Sequence, residues 1–291
     1  MNIPKVGIIS PGEMGSAIGR VLRDNGMEIF TCVEERSDLT VMRAGEAGFR
    51  ELPNYSQLVA KTDLLLSVLV PAEAVTVAKQ MANILRGTRV RLMYADCNAI
   101  SPQTAVGMAH LIEEAGSIFI DASIIGPPPR SGGDTRIYCS GPDCSALEIL
   151  REHGLDIHVL GPSVGQASGL KMVYAASTKG TTALWTELLV AARALGLEEA
   201  LAHELSRGRS DIAQRLMVQI PSMPRRSRRW IGEMEEIAAT FEDLGLTPLM
   251  LRGAADVFRF VGGTDLADQT SRQPDPALEQ ILDVLAEQLR E

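Results

Sequence analysis

Histidine and cysteine are scarce in this chain, four of each, and neither is arranged for chemistry. His110, His153, His158 and His203 are scattered, with no HExxH spacing and no Cys/His set at zinc-ligand intervals, so metal chemistry finds no support. Cys32, Cys97, Cys139 and Cys144 form no CxxC pair, and four thiols make no disulfide framework for 291 residues. They read as reduced, structural thiols. A GxSxG nucleophile elbow is missing too, which removes the hydrolase reading. Long apolar runs are absent. The most apolar short stretch, Leu64 to Val70, is far below the roughly 20 residues that span a bilayer. No basic segment with a long apolar region precedes the first strand at Val6. The expectation is a cytoplasmic protein with no membrane partner. Positive charge is also in deficit: 28 Lys and Arg stand against 37 Asp and Glu, a net charge of −9. That balance argues against nonspecific binding to nucleic acid or anionic lipid. An anionic substrate then needs a local cationic pocket.

What is present is a globular balance, 45% hydrophobic and 22% charged residues, in a chain long enough for two domains. The first half alternates short apolar runs with helical periodicity. Lys5–Ile9, Met27–Val33, Leu64–Leu69, Arg89–Ala95 and Ile118–Asp121 read as strands. Met14–Asn25, Leu39–Ala47, Ala72–Leu85 and Pro102–Ala115 read as helices between them. Such alternation predicts an α/β Rossmann domain with a mainly parallel sheet, closed by short strands at Arg136–Ser140 and Ile157–Leu160, over residues 1–161. From Ser163 to about Leu195 the pattern predicts one long buried helix. Helical patterns follow at Glu198–Gln219, Arg228–Leu244, Pro248–Val261 and Pro276–Arg290, so residues 162–291 are expected to form an all-α domain. One oddity is Pro221–Arg229, a loop-to-helix stretch holding Arg225, Arg226, Arg228 and Arg229.

The first strand ends at Ser10-Pro11-Gly12-Glu13-Met14-Gly15, where the first helix begins. Gly12 allows the backbone to approach a pyrophosphate and Gly15 allows the helix to pack closely on the strand. The phosphates then face the free amides and positive end of that helix. A full GxGxxG has glycine where this chain has Ser10, so the motif is incomplete. The second strand is followed by Glu34, Glu35, Arg36 and Ser37. An acidic group there accepts from a ribose 2′-OH and favours NAD, whereas an arginine neutralises a 2′-phosphate and favours NADP. Arg36 with the Ser37 hydroxyl favours NADP, with NAD the alternative.

These runs, together with Ser67-Val68-Leu69-Val70-Pro71, Asp96-Cys97-Asn98-Ala99-Ile100-Ser101-Pro102 and Asp121-Ala122-Ser123, resemble the β-hydroxyacid dehydrogenases, the family of 3-hydroxyisobutyrate and 6-phosphogluconate dehydrogenases. Ala167–Ala175 and Arg229–Glu236 are similar to a bacterial subgroup whose C-terminal domain is 6-phosphogluconate-dehydrogenase-like. The resemblance implies cofactor contacts from Ser10, Gly12, Glu13, Met14, Gly15, Leu69, Val70, Pro71 and Asn98, beside Arg36 and Ser37. It also implies reversible hydride transfer to or from a small anionic β-hydroxyacid, and a homodimer. The family's catalytic lysine falls on Lys171. Read from the residues alone, Lys171 is a cation in a mostly apolar helix, costly unless used or paired; the alternative is a lysine snorkelling to the helix surface.

The chain also departs from the family. The family commonly has asparagine one turn after the lysine, where this chain has Tyr174 and Ala175. Tyr174, at i+3, is the alternative hydrogen-bond donor, or a core tyrosine. The family's Ser-Gly-Gly loop reads here as Ile125-Gly126-Pro127, followed by Arg130 and Ser131 as possible contacts. Ser123, Gly126 and Lys171 are the candidates around the substrate. A Lys-Asp pair of the family falls on Gly232 and Glu233, so its lysine is missing. Arg229 at i−4 from Glu233 is then the candidate for the substrate carboxylate, against the reading of a surface ion pair. Lys179 is expected at a pocket edge or interface. Two other functions stay open: an imine or enamine reductase, against which Lys171 counts, and a non-catalytic NADP-binding sensor.

Overall fold

Strands β1 (Val6–Ile9) and β4 (Leu64–Ser67) are buried at every residue, which is why both read as continuous apolar runs and not as alternations. The computed structural model describes residues 4–129, 134–208, 214, 219–270 and 273–289. Its other strands are β2 (Ile29–Cys32), β3 (Arg50–Glu51), β5 (Met93–Asp96), β6 (Ile118–Ile125), β7 (Arg136–Ser140) and β8 (Asp156–Gly161). Between them run α1 (Glu13–Asp24), α2 (Asp38–Ala47), α3 (Tyr55–Lys61), α4 (Pro71–Thr88), α5 (Pro102–Glu114) and α6 (Ser145–Ile149). Among the described residues the strands form one eight-stranded sheet in the order β3-β2-β1-β4-β5-β6-β7-β8. All pairs are parallel except β6 with β7.

Alternate strand residues feed two cores. Val6, Ile8, Leu64 and Leu66 pack with Ile18 and Leu22 of α1 on one face. Ile9, Leu65, Tyr94 and Phe119 pack with Leu58, Met81 and Met108 of α3, α4 and α5 on the other. The strand order reverses between β1 and β4, so the crevice for a ligand lies past the carboxyl ends of those two strands. That places the segments after Ile9 and after Ser67 at the mouth of the sheet.

The chain forms two compact units, residues 1–172 and 173–291. Helix α7 (Gln166–Ala175) starts in the first. A π-helical turn, Ala176–Gly180, follows it and leads into α8 (Thr181–Leu195), so the helix expected from Ser163 to Leu195 is interrupted by one wider turn. The second unit continues with α9 (Glu198–Gly208), α10 (Pro224–Asp243), α11 (Leu249–Gly262) and α12 (Leu278–Gln288). Among its described residues it holds helices and no strand, as the periodicity predicts. Trp230 of α10 meets Phe258 of α11 edge to face, ring centroids 5.1 Å apart, over buried Met234, Ile237 and Val261. Arg193 of α8 is ion-paired with Glu198, Glu279 and Asp283, tying α9 and α12 to it.

Several boundaries differ from the sequence reading. The strand expected from Arg89 begins at Met93, because Arg89 turns left-handed (φ +57°) to end α4. β6 runs on to Ile125, since its residues stay buried alongside antiparallel β7. The helix expected from Arg228 begins at Pro224, so all four arginines of the loop-to-helix stretch lie in the opening turns of α10. The pattern Glu198–Gln219 is seen as α9 as far as Gly208; residues 209–213 and 215–218 lie outside the described residues.

Two helical glycines have opposite value. A Cβ on Gly19 of α1 would stand 2.2 Å from Phe49 Cζ and 2.9 Å from Ile8 Cδ1, whereas one on Gly45 of α2 meets nothing within 4 Å. Gly19→Ala is therefore expected to destabilise the protein by about 1–3 kcal/mol through overpacking. Gly45→Ala should stabilise it by about 0.5–1 kcal/mol through helix propensity. Urea unfolding of the two variants beside the parent checks both signs.

Candidate functional site

The turn after β1 is built for an anion. Ser10 adopts φ +55°, the left-handed conformation that glycine usually supplies, and its carbonyl accepts from Gly12 N at 2.7 Å. Serine thus stands in glycine's conformation at the position where the fingerprint is incomplete. Gly12 is the N-cap of α1 and makes no side-chain cap bond. The amides of Glu13, Met14 and Gly15 therefore have no partner within the helix and carry its positive end. A Cβ on Gly12 would meet only Ser10 O, at 3.9 Å, so the space before these amides is open. Gly15 is the opposite case: a Cβ there would lie 3.3 Å from Ile8 Cγ2 and 3.5 Å from Val68 Cβ, which seats α1 closely on the sheet. An open cradle of amides at a helix start fits a pyrophosphate.

The segment after β2 supplies a cation. Arg36 is half-buried, its Nη2 donates to the Tyr55 hydroxyl at 2.7 Å, and its Nε is buried with no hydrogen-bond partner. Ser37 caps α2 by accepting from Thr40 N at 3.4 Å, and lies 3.1 Å from the Thr40 hydroxyl. Glu34 and Glu35 are both exposed, with Glu35 at φ +57°. A held guanidinium with an orphaned N–H beside a helix start fits a phosphate oxygen. The residues present fit a nicotinamide dinucleotide.

At the ends of β4 and β5 one asparagine ties two loops together. Asn98 is 2% exposed. Its Oδ1 accepts from Leu69 N at 2.5 Å, and its Nδ2 donates to Asp96 Oδ1 at 2.5 Å and to Ser67 Oγ at 3.2 Å. Asn98 N donates to Asp96 Oδ2 at 3.2 Å. Burial pushes the Asp96 carboxyl up to about 7, against those Asn98 bonds. Asn98 is thus spent on holding the Leu69-Val70-Pro71 segment. Val70 is half-exposed as N-cap of α4, and Pro71 takes the first helical position.

The end of β6 meets α7. Lys171 Nζ donates to Ile124 O at 2.6 Å. Upstream on the same strand, Asp121 is buried and accepts from the first residues of the α7 segment and from Ser140. Gly126 has φ +121°, and a Cβ there would stand 2.4 Å from Asp134 O, so the turn out of β6 admits only glycine. Ser123 is fully buried and its hydroxyl has no hydrogen-bond partner. Tyr174, on the same helix as Lys171, is 45% exposed. Arg130 and Ser131 lie outside the described residues.

In the second unit, Glu233 is buried between two cations. Its Oε2 lies 2.5 Å from Lys179 Nζ and its Oε1 3.3 Å from Arg229 Nε, the i, i+4 pair expected from the spacing. Lys179, in the π turn, also stands 5.8 Å above the Trp230 ring. Of the other arginines of this stretch, Arg225 is paired with Asp275 and Arg228 with Asp268. Sequence reasoning did not identify Tyr55, Asp96 or Asp121 as holding residues. A carboxylate closing an otherwise apolar strand was the available signal for the two acids. For Tyr55 no local signal exists.

Among the described residues no group of three His, Cys, Asp or Glu side chains is placed to hold a metal, and no helix is long and apolar enough to cross a membrane.

Comparison with known proteins agrees with this geometry. Residues 5–151 match the family model of the NAD binding domain of 6-phosphogluconate dehydrogenase, and residues 192–261 match a domain family of unknown function. An uncharacterized 28.5 kDa protein of Methanothermus fervidus is 30% identical over 261 residues, 88% of this chain and 98% of that protein. A solved protein of unknown function, described as structurally similar to 3-hydroxyacid dehydrogenases, is 32% identical with a TM-score of 0.69, covering 91% of this chain and 99% of its own. The 3-hydroxyisobutyrate dehydrogenase of Mycobacterium tuberculosis shares the fold, with a TM-score of 0.71 at 17% identity over 98% of this chain and 99% of its own. With a cradle at β1, a sheet reversal beside it and these likenesses over nearly the whole length, the chain belongs to the β-hydroxyacid dehydrogenase-like family, as an oxidoreductase with a NAD(P)-binding Rossmann domain.

Proposed function

We propose that this protein catalyses reversible hydride transfer between NADP(H) and the hydroxyl-bearing carbon of a small anionic β-hydroxyacid, with Lys171 as the proton carrier. The observation that carries this reading is the lysine on the opening turns of α7, its amine fixed on Ile124 O at the end of β6. The bound nicotinamide supplies the carbon that takes up or releases the hydride. This chain's part is to hold and to move a proton. During oxidation, Lys171 in its neutral form takes the hydroxyl proton as the C–O bond becomes a carbonyl; during reduction it returns that proton to the oxygen. Asn98 and Gly126 act by fixing the loops at the ends of β4 and β6, and Arg229, oriented by Glu233, is the partner for the substrate's carboxylate.

Lys171→Met removes the ionisable group at similar volume. Single-turnover hydride transfer, followed by nicotinamide absorbance on cofactor-saturated enzyme with a panel of β-hydroxyacids, is expected to slow by about 10²–10⁴. Tyr174→Phe is expected to cost less, since one hydrogen-bond donor is lost and not the proton carrier. A Lys171→Met rate close to that of the parent would refute the assignment.

For the cofactor, the held Arg36 guanidinium supports NADP. NADPH should bind roughly tenfold more tightly than NADH, the worth of one charge-assisted contact of about 1.4 kcal/mol. Fluorescence titration of both decides this; equal or tighter NADH binding would transfer the role to Glu34 or Glu35. Arg229→Ala should raise KM for the hydroxyacid strongly, with NADPH affinity unchanged in the same titration.

A further inference from the structure

We propose that Asp121 is the residue that positions Lys171: its carboxylate anchors the start of α7 to β6, and β6 thereby fixes where the amine stands. The inference rests on the reading of Lys171 as proton carrier and adds a residue to which that reading gave no task.

The contact is unusually dense for one oxygen. Asp121 Oδ2 accepts from Gly165 N at 2.9 Å, Ala167 N at 3.1 Å, Ser168 N at 3.0 Å, Ser168 Oγ at 3.1 Å and Ser140 Oγ at 3.1 Å. Ser140 Oγ accepts in turn from Ala167 N at 3.1 Å, so β7 backs the same joint. Asp121 itself is 1% exposed. An ionised carboxylate is the one side chain that offers acceptors alone, and its charge complements the positive end of the helix. Asparagine in its place can still offer one neutral oxygen to these donors, but it loses the charge that they and the helix end complement.

The second tie follows from the two repeat lengths. Lys171 lies three residues beyond Ser168, less than one turn of helix, and Ile124 lies three residues beyond Asp121 on the strand. The carboxylate holds the helix start and the strand carbonyl holds the amine, so α7 and β6 are pinned at two points that bracket the lysine. The neighbouring strand's acid has a different task. Asp96, the register partner of Asp121, is bound by Asn98 and serves the Leu69 segment. Burial holds the Asp121 carboxyl above the ordinary carboxylate range while its donors pull the other way.

Competitive acetylation of the full-length protein, quantified lysine by lysine by mass spectrometry, reads the position of the amine without any substrate. Asp121→Asn is expected to raise the labelling of Lys171 about fivefold or more relative to exposed Lys79, equivalent to about 1 kcal/mol of lost ordering. Labelling of Lys61 against Lys79 should stay unchanged. Should Asp121→Asn fail to fold, the double variant Ser140→Ala/Ser168→Ala removes two of the donors and keeps the carboxylate; it should move Lys171 in the same direction by about threefold. Unchanged Lys171 labelling in the folded variants, with only a lower melting temperature, would reduce Asp121 to a stabilising cap and overturn the proposal. Once a substrate is found, Asp121→Asn should lower kcat and leave KM and NADPH affinity near the parent values. The two readings fail separately. A fully active Lys171→Met refutes the proton carrier, and Lys171 labelling indifferent to Asp121 refutes the positioning.

Discussion

A polar group removed from water must be given partners, and this requirement at the carboxyl ends of the central strands organises the first unit. β5 and β6 each carry an aspartate into the core, at register partners Asp96 and Asp121. Neither has water to turn to, and each is met by the segments that come next in the sheet's layout. Asp96 is answered by the side chain and backbone of Asn98, and Asp121 by the start of a helix that follows more than forty residues later. The loops at this end of the sheet are therefore held from beneath, by strand residues that solvent does not reach. A site built on such loops is rigid without being covered.

The same end of the sheet is where the strand order reverses, and the parts gathered there differ in kind. The turn at Ser10–Gly15 offers backbone amides, the segment at Arg36 a guanidinium, and α7 an amine. Backbone, fork and point charge are three ways of presenting positive potential. A chain whose net charge is −9 sets all three along the carboxyl-end edge of its sheet.

Much of this was legible in the sequence. Strands buried on both faces announce themselves as unbroken apolar runs, and the strand-to-helix turn at Gly12 and Gly15 carries its own geometry. The helices of the second unit show their apolar stripes plainly. What could not be read is held by partners distant along the chain. Asp121 takes its donors from residues 19 to 47 positions away, so the carboxylate that closes the apolar run Ile118–Asp121 marks a polar group in need of partners and not which partners it has. β3 and α3 were missed because two residues and seven residues leave too short a period to detect. The π turn at Ala176–Gly180 adds a residue to a helix without any residue type that requires it, so the chain reads as continuous there. Ser10 failed as a motif letter yet adopts the motif's backbone, because conformation and not identity is what the turn demands.

The bond between Arg36 and Tyr55 links two matters usually treated apart. Tyr55 is 7% exposed at the start of α3, and its hydroxyl is what holds the guanidinium. The arginine's freedom is thus surrendered when the chain folds and not when a nucleotide arrives, which leaves recognition with less ordering still to do. The arrangement also constrains redesign. Replacing Arg36 takes from the Tyr55 hydroxyl the donor it accepts from, an expense of about 1–3 kcal/mol in the fold. On the proposed reading of Arg36 as the phosphate contact, selectivity and stability are coupled through that one hydroxyl, and a change of preference is made at positions 36 and 55 together.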